Sequence, residues 1–310
     1  MEVVKDIKNW NFIDRSIVTI GTFDGVHRGH KKLLQKLIHI RKNKGGKSLV
    51  FTFEPHPRKV LFPNQTDLQL ISNLDEKIKL MEAEGIDIVI VYPFTKEFAQ
   101  IEPEKFIKEI LAEKLKTDTL VIGYDHKFGK DRKGDINTFK AASDIYGFSV
   151  EEIPAEEIND INISSTKIRK ALYDGDIKGA AAFLGYNYFL SGTVVHGKKL
   201  GKTISYPTAN ISVGDNDKLI PKKGVYLVSV EVEGFKGFGM MNVGTNPTTD
   251  SDTNLKLEVN IFNFDKDIYS KEIKVEFIER LRDEKKFGSV EELITAIKND
   301  ENECKRILNM

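Results

Sequence analysis

Ser16-Ile17-Val18-Thr19-Ile20-Gly21-Thr22-Phe23-Asp24-Gly25-Val26-His27-Arg28-Gly29-His30 passes from a β-branched run, through a glycine-punctuated turn, to the start of a helical pattern. Residues 16–20 read as a strand ended by Gly21. Residues 30–42 then place Leu33, Leu34, Leu37, Ile38 and Ile40 at helical spacing between Lys, Gln and Arg. The same strand-then-helix unit recurs through the first half. Strands at 48–53, 87–92, 119–122 and 148–153 alternate with helices at 74–84, from Pro103 through Leu115, and around 136–146. Proline suits the first turn of a helix, where its missing N–H has no intrahelical partner to lose. Strands separated by single helices predict an α/β fold with a doubly wound parallel sheet covered on both faces.

Past Tyr186 the chain changes character. Short helices at 165–172 and 177–184, split by Tyr173-Asp174-Gly175-Asp176, give way to extended stretches at 188–195, 224–232, 235–243, 256–264 and 273–281. Gly, Pro, Asn and Asp clusters separate these stretches, which predicts a small antiparallel β-barrel or sandwich closed by C-terminal helices from Ser289 onward. The expected domains are therefore 1–184 and 185–310, and a chain of 310 residues suits that division.

Composition narrows the function. Lys plus Arg and Asp plus Glu each total 47, so the net charge is zero and no global attraction draws the chain to nucleic acid or an acidic membrane. Any anion site must be local. The single cysteine, Cys304, excludes an intrachain disulfide and a multi-cysteine metal site, and reads as a passive thiol. Apolar runs such as 88–92 are too short to span a bilayer, and the first residues carry no signal-peptide core. A cytoplasmic protein is expected, with no nucleic-acid or membrane partner. Self-association is not legible.

Ligands of open α/β sheets bind beyond the carboxyl ends of the strands, where the Gly21–His30 turn lies. Gly21 and Gly25 let backbone approach a ligand closely. His27 and His30 are three apart and project from one side of the first helical turn, where free N–H groups and the helix dipole favour an anion. Phosphoryl chemistry needs mainly positioning and charge stabilisation. On spacing alone a metal pair or simple helix capping also remains open. The GxGxxG dinucleotide fingerprint is absent, which argues against a nicotinamide dehydrogenase.

The turn as a whole resembles the first motif of nucleotidylyltransferases related to class I aminoacyl-tRNA synthetases. In detail it is similar to the adenylyltransferase half of bacterial bifunctional riboflavin kinase/FAD synthetases. Phe53-Glu54-Pro55-His56-Pro57, Gly123-Tyr124-Asp125-His126-Lys127-Phe128-Gly129 and Ile163-Ser164-Ser165-Thr166-Lys167-Ile168-Arg169 follow in the family's order. The resemblance implies that Gly21, Phe23, Asp24, Gly25, His27, His30, Asp125, Ser165, Thr166 and Arg169 bind ATP for adenylyl transfer, with His27 and His30 at the reacting centre. It implies flavin contact at Pro55, His56 and Pro57. Ser165 or Thr166 is expected to cap a helix, and Arg169 to offer a fork of donors. His126 departs from the family's usual aromatic.

In the second half, Gly192-Thr193-Val194-Val195-His196-Gly197 runs into a Gly/Lys loop reaching Lys202. Such a loop can wrap phosphates, or be an exposed turn. In Tyr206-Pro207-Thr208-Ala209-Asn210 the Thr208 and Asn210 side chains point the same way if the segment is extended, and two neutral oxygens suit a hard cation already held by nucleotide phosphates. Leu257, Val259 and Ile261 alternate with Glu258, Asn260 and Phe262, and a Glu258 facing a pocket could take a hydroxyl proton. On those residues alone, a polar strand edge and a solvated carboxylate remain open. With residues 224–226, 242–248 and 280–284 and Phe287, these segments resemble the riboflavin kinase half of the same family. That implies ATP contacts at Gly192, His196, Gly197, Lys202, Thr208 and Asn210, with Mg²⁺ at Thr208 and Asn210. It implies Glu258 as base for the ribityl 5′-hydroxyl, and Asn242, Asn246, Arg282 and Phe287 as flavin contacts. Lys202, Ser205-Tyr206 and Asn260 depart from the family's usual Arg, Gly-Phe and His. The implied substrates and products are riboflavin, FMN, FAD and ATP.

Overall fold

The computed structural model describes residues 1–8, 10, 15–64, 68–154, 163–197, 206–245 and 255–310. Two compact units emerge, Met1–Ser165 and Thr166–Met310.

In the first unit, β1 (Glu2–Val4), β2 (Ser16–Ile20), β3 (Lys47–Glu54), β4 (Ile88–Pro93), β5 (Thr117–Gly123) and β6 (Ser149–Ile153) form one parallel sheet in the order β1-β4-β3-β2-β5-β6. Helices α1 (Arg28–Lys44), α2 (Pro57–Leu61), α3 (Leu74–Glu84), α4 (Pro103–Phe106) and α5 (Ile136–Tyr146) connect the strands. Alternate strand residues feed two cores. Val18, Leu49, Phe51, Ile90 and Leu120 pack with Phe106, Leu111 and Phe139, while Ile17, Val50, Val89 and Val121 pack with Leu34, Leu37 and Met81. A sheet buried on both faces is what the doubly wound reading requires.

Two features depart from the sequence expectations. β1 is an additional edge strand. The helix that Pro103 opens is α-helical only to Phe106 and continues as a wider π-type coil, Ile107–Lys114. The Thr117 hydroxyl donates to the Leu111 carbonyl at 2.7 Å, and the Leu115 N–H reaches one residue further back, to the Ile110 carbonyl at 2.9 Å.

In the second unit, α6 (Ser165–Asp174) begins at the junction and α7 (Ile177–Leu184) follows it. Strands β7 (Phe189–Val195), β8 (Ala209–Ser212), β9 (Gly224–Val232), β10 (Phe235–Thr245), β11 (Leu255–Ile261) and β12 (Glu272–Arg282) close an antiparallel barrel in the order β10-β11-β8-β7-β12-β9, with β9 returning to β10. Gly192 permits part of this closure, because a Cβ there would sit 2.5 Å from the Ser212 carbonyl of the neighbouring strand.

Among the described residues a single helix, α8 (Val290–Leu308), follows Ser289, where several were expected. Ser289 caps it by accepting the Glu292 N–H at 3.2 Å. Buried Cys304 packs with Leu227 and Met240 of the barrel, and burial pushes its thiol up to about 12, which leaves it the inert group expected. Arg282 adds a two-pronged pair to Asp300 of α8, with Nε–Oδ1 at 2.9 Å and Nη2–Oδ2 at 2.7 Å. Breaking a fully buried pair costs about 3–5 kcal/mol, and Arg282 is partly exposed. Asp300→Ala is therefore expected to cost the second unit about 2–3 kcal/mol. The measurement is its denaturant midpoint together with amide exchange across α8; an unmoved midpoint would assign the docking of α8 to its apolar face alone.

Candidate active sites

The strand order decides where a ligand can enter the first unit. From β2 the chain adds β3 and β4 on one side, then crosses to lay β5 on the other. At such a switch point the connections after the two neighbouring strands part, opening a crevice at their carboxyl ends. β2 delivers the Gly21–His30 turn there, and β5 delivers Gly123-Tyr124-Asp125. The sheet therefore brings two of the sequence motifs to one edge.

The turn is held in a costly shape. Phe23, Gly25 and Val26 have φ of 50°, 79° and 35°, and positive φ at a β-branched valine persists only when its surroundings over-determine it. The constraints come from outside the motif. The Asp24 carboxylate accepts the Ser72 N–H at 3.0 Å, and the Gly25 N–H donates to the Ser72 hydroxyl at 2.9 Å. Ile71 presses on Gly25 so closely that a Cβ would meet it at 2.7 Å.

His27 is the N-cap of α1, and its Nδ1 accepts the His30 N–H at 3.4 Å. Accepting at Nδ1 places the ring's proton on Nε2 in the neutral form. The His30 ring stacks on His27 with centroids 3.6 Å apart and planes 16° apart, and Phe23 lies 5.0 Å from it. Burial, then the charges of His27 and Lys77, hold the His30 imidazole well below its ordinary range, and its Nδ1 is buried without a partner. The pair is thus a stacked imidazole face at a helix N-terminus.

Other expected residues have mixed fates. Helix α6 starts at Ser165, and the Ser165 hydroxyl donates to the Asp24 carbonyl at 3.3 Å. Thr166 and Arg169 follow on the same helix. Asp125 is exposed. His56 caps α2, accepting the Arg58 N–H at Nδ1, with Pro57 in the first turn. The segment around Pro55 adjoins an aromatic group that the sequence reading missed. Phe53 lies 5.4 Å from Phe94 and 5.9 Å from Phe98, which lies 4.6 Å from Tyr92.

The second unit assembles its residues by register. Asn242, Glu258 and Asn210 are directly opposed across β10, β11 and β8, so their side chains form one row on one face. Val195 continues that row on β7. Gly197 abuts Asn210, with space for no side chain, since a Cβ would lie 2.1 Å from the amide nitrogen. Asn260 donates to the Pro207 carbonyl at 2.8 Å and fastens the segment carrying Thr208. Burial raises the Glu258 carboxyl above its ordinary value, and Lys256 opposes that only in part. The His196 ring lies tilted against Tyr269, with centroids 3.9 Å apart and planes 32° apart. The Arg282 guanidinium lies 5.8 Å from the Phe287 ring, but its fork is already engaged by Asp300. Lys202, Ser205 and Asn246 lie outside the described residues. The described residues bring no three His, Cys, Asp or Glu together as a metal cluster, so a cation at Thr208 and Asn210 needs phosphate oxygens as well.

Comparison with known proteins adds a second line. The FAD synthetase family model matches residues 11–167, and the riboflavin kinase family model matches residues 184–308. A bifunctional riboflavin kinase/FMN adenylyltransferase from Listeria monocytogenes is 36% identical over 296 residues, covering 96% of this chain and 93% of that protein. Its namesake in Bacillus subtilis is 37% identical, covering 94% and 92%, and that of Escherichia coli strain K12 is 34% identical, covering 97% and 96%. A crystal structure described as a macrolide-efflux protein from Streptococcus pneumoniae shares the fold with a TM-score of 0.87 at 34% identity, over 97% of both chains. No helix among the described residues is long and apolar enough to cross a membrane.

His126 carries a pH signature. Its Nε2 is buried without a partner near the rings of Phe128 and Phe139, and burial pushes its pKa down from 6.5 to about 4. The unfolded chain takes up this proton first, so the contribution to stability is intact above about pH 6.5 and is lost as pH falls towards 4. The loss is on the order of 3 kcal/mol. His126→Phe is expected to flatten that part of the acid limb in chemical unfolding measured from pH 7 to pH 4. A limb of unchanged depth would show that the imidazole is not buried uncharged.

Proposed function

The chain belongs to the family of bifunctional riboflavin kinase/FMN adenylyltransferases, and from that premise we propose how its two units carry two ATP-dependent reactions. The enzyme phosphorylates riboflavin to FMN, then adenylylates FMN to FAD with release of pyrophosphate. Residues 185–310 form the kinase module and residues 1–184 the adenylyltransferase module in this reading, and the enzyme works in the cytoplasm.

The observation that carries the kinase assignment is the cross-strand row Asn210–Glu258–Asn242. Glu258 accepts the proton of the ribityl 5′-hydroxyl as that oxygen attacks the γ-phosphorus of ATP, whose bond to the bridging oxygen breaks to release ADP. A carboxyl raised by burial is a stronger base than an ordinary one, which suits proton abstraction near neutral pH. Asn242 orients the flavin beside it. Thr208 and Asn210 contribute neutral oxygens on the other side, a donor set that fits Mg²⁺ arriving with ATP. Mg²⁺ neutralises phosphate charge when bound. Gly192, His196 and Gly197 line the nucleotide. Arg282 and Phe287 border the flavin, with Arg282 also anchoring α8.

In the other module the FMN phosphate attacks the α-phosphorus of ATP at the Gly21–His30 turn. The Nε2–H of His27 and the imidazole of His30 stabilise the charge that develops there, while Gly21, Phe23, Asp24 and Gly25 give the turn its shape. Asp125 and Ser165 add further ATP contacts. Pro55, His56, Pro57 and the neighbouring aromatic rings offer faces on which the flavin can stack.

Glu258→Gln keeps volume and removes the proton acceptor. Riboflavin phosphorylation is expected to fall about 10²- to 10⁴-fold while added FMN still becomes FAD at the parent rate, followed by chromatography of products. Riboflavin turnover close to that of the parent would place the base elsewhere.

For the cation, Thr208→Val combined with Asn210→Ala is expected to raise the Mg²⁺ concentration at which riboflavin phosphorylation is half-maximal. Superimposable Mg²⁺ titrations of variant and parent would remove these side chains from the metal.

A further inference from the structure

Among the described residues, the first unit buries a cation to which adenylyl transfer has so far given no task. Lys77, on the inward face of α3, is 6% exposed. Its ammonium donates to the Thr22 carbonyl at 3.2 Å and to the Thr52 hydroxyl at 3.3 Å. The Thr52 hydroxyl donates to the same Thr22 carbonyl at 3.2 Å. These three groups close a triangle joining the phosphate turn to β3 and α3. A buried ammonium is costly unless opposed by negative charge. Here Asp24 and Glu54 supply it, resisting the downward push of burial on the lysine.

We propose that Lys77 is a positioning residue for adenylyl transfer: it anchors the Thr22 carbonyl, fixes the course of the Phe23–His30 turn, and sets a fixed positive charge beneath the site. The inference rests on the reading that this turn is the adenylyl-transfer site. Two roles follow from the geometry. The first is mechanical. Phe23 holds positive φ immediately after Thr22 and Val26 three residues later, so losing the ammonium leaves the Thr22 carbonyl to the Thr52 hydroxyl alone and weakens one constraint that keeps this turn from relaxing. The second is electrostatic. Without Lys77 the carboxylates of Asp24 and Glu54 lose their common counter-charge under a triphosphate. His30 faces His27 and the Phe23 ring from the turn and lies in the field of Lys77 from α3, and that field disfavours its protonation.

The test uses the full chain, with FAD formation from FMN and Mg·ATP measured across ATP concentrations and from pH 5.5 to 8. Riboflavin phosphorylation and thermal melting are recorded on each preparation. Lys77→Met is expected to lower kcat/KM for ATP about 10²-fold, as misplacement of a reacting group does. The KM for FMN and the kinase rate should stay parent-like. Because a positive charge beside His30 is gone, the acid limb of the FAD-forming profile should move to higher pH. Thr52→Val keeps the charge and loosens the anchor, so it should cost roughly tenfold with the acid limb unmoved.

His30→Ala is the control for the underlying reading. If it leaves FAD formation intact, the site reading fails and the inference with it. If His30→Ala abolishes FAD formation while Lys77→Met stays parent-like, the inference alone is overturned. Slower FAD formation by Lys77→Met with equal changes for ATP and FMN and an unmoved acid limb reduces Lys77 to fold support and also overturns it. Should Lys77→Met fail to fold, Lys77→Gln decides by the same two readouts.

Discussion

A parallel sheet that grows to one side of its first long strand and then crosses to the other must leave a cleft between the two central strands. In this chain the cleft lies between β2 and β5, and most of the first unit serves it. The apolar residues on both sides of the strands secure helices on both faces. The two connections that leave the cleft bear Gly21, Asp24, Gly25, His27 and His30 on one side and Gly123, Asp125 and His126 on the other. The strain in the turn after β2 is tolerable because the segment before α3 grips it through Ser72. Chemistry at this edge is therefore a property of the strand order first and of the side chains second.

The second unit solves its placement problem by pairing. In a closed barrel no strand can slip without breaking the register of its neighbours, so Asn210, Glu258 and Asn242 stay abreast although they are far apart in sequence. The same closure explains the two glycines near the row. Gly192 admits a neighbouring carbonyl and Gly197 admits the Asn210 amide, so both mark close approach.

Elements with strong local signals were legible from sequence. Helices 136–146 and 177–184 have the predicted limits because Asp135 and Asp176 cap their starts and Gly147 and Gly185 turn left-handed at their ends. The histidine pair and the Glu258 strand were likewise readable as motifs. What escaped depends on partners remote in sequence. β1 is three residues long and exists through its pairing with β4. The extended segment at Ala209–Ser212 becomes a barrel strand only between β7 and β11. Lys77 shares the inward face of its helix with Met81, and a lysine four residues before a core methionine was the available signal. The pairing of the Arg282 fork with Asp300 also escaped, because only the docking of α8 creates it.

Because both units lie on one polypeptide, the cell makes their two activities in a ratio fixed at one to one by translation. Gene dosage and promoter strength scale both together. The steady-state level of the intermediate FMN is therefore not adjustable by expressing more of one activity than the other. It is set by the relative turnover and substrate affinity of the two sites, by the supply of riboflavin, and by how fast other proteins take FMN away. A substitution that slows one site shifts the balance between the FMN and the FAD that this chain makes, and further copies of the chain multiply both sites alike.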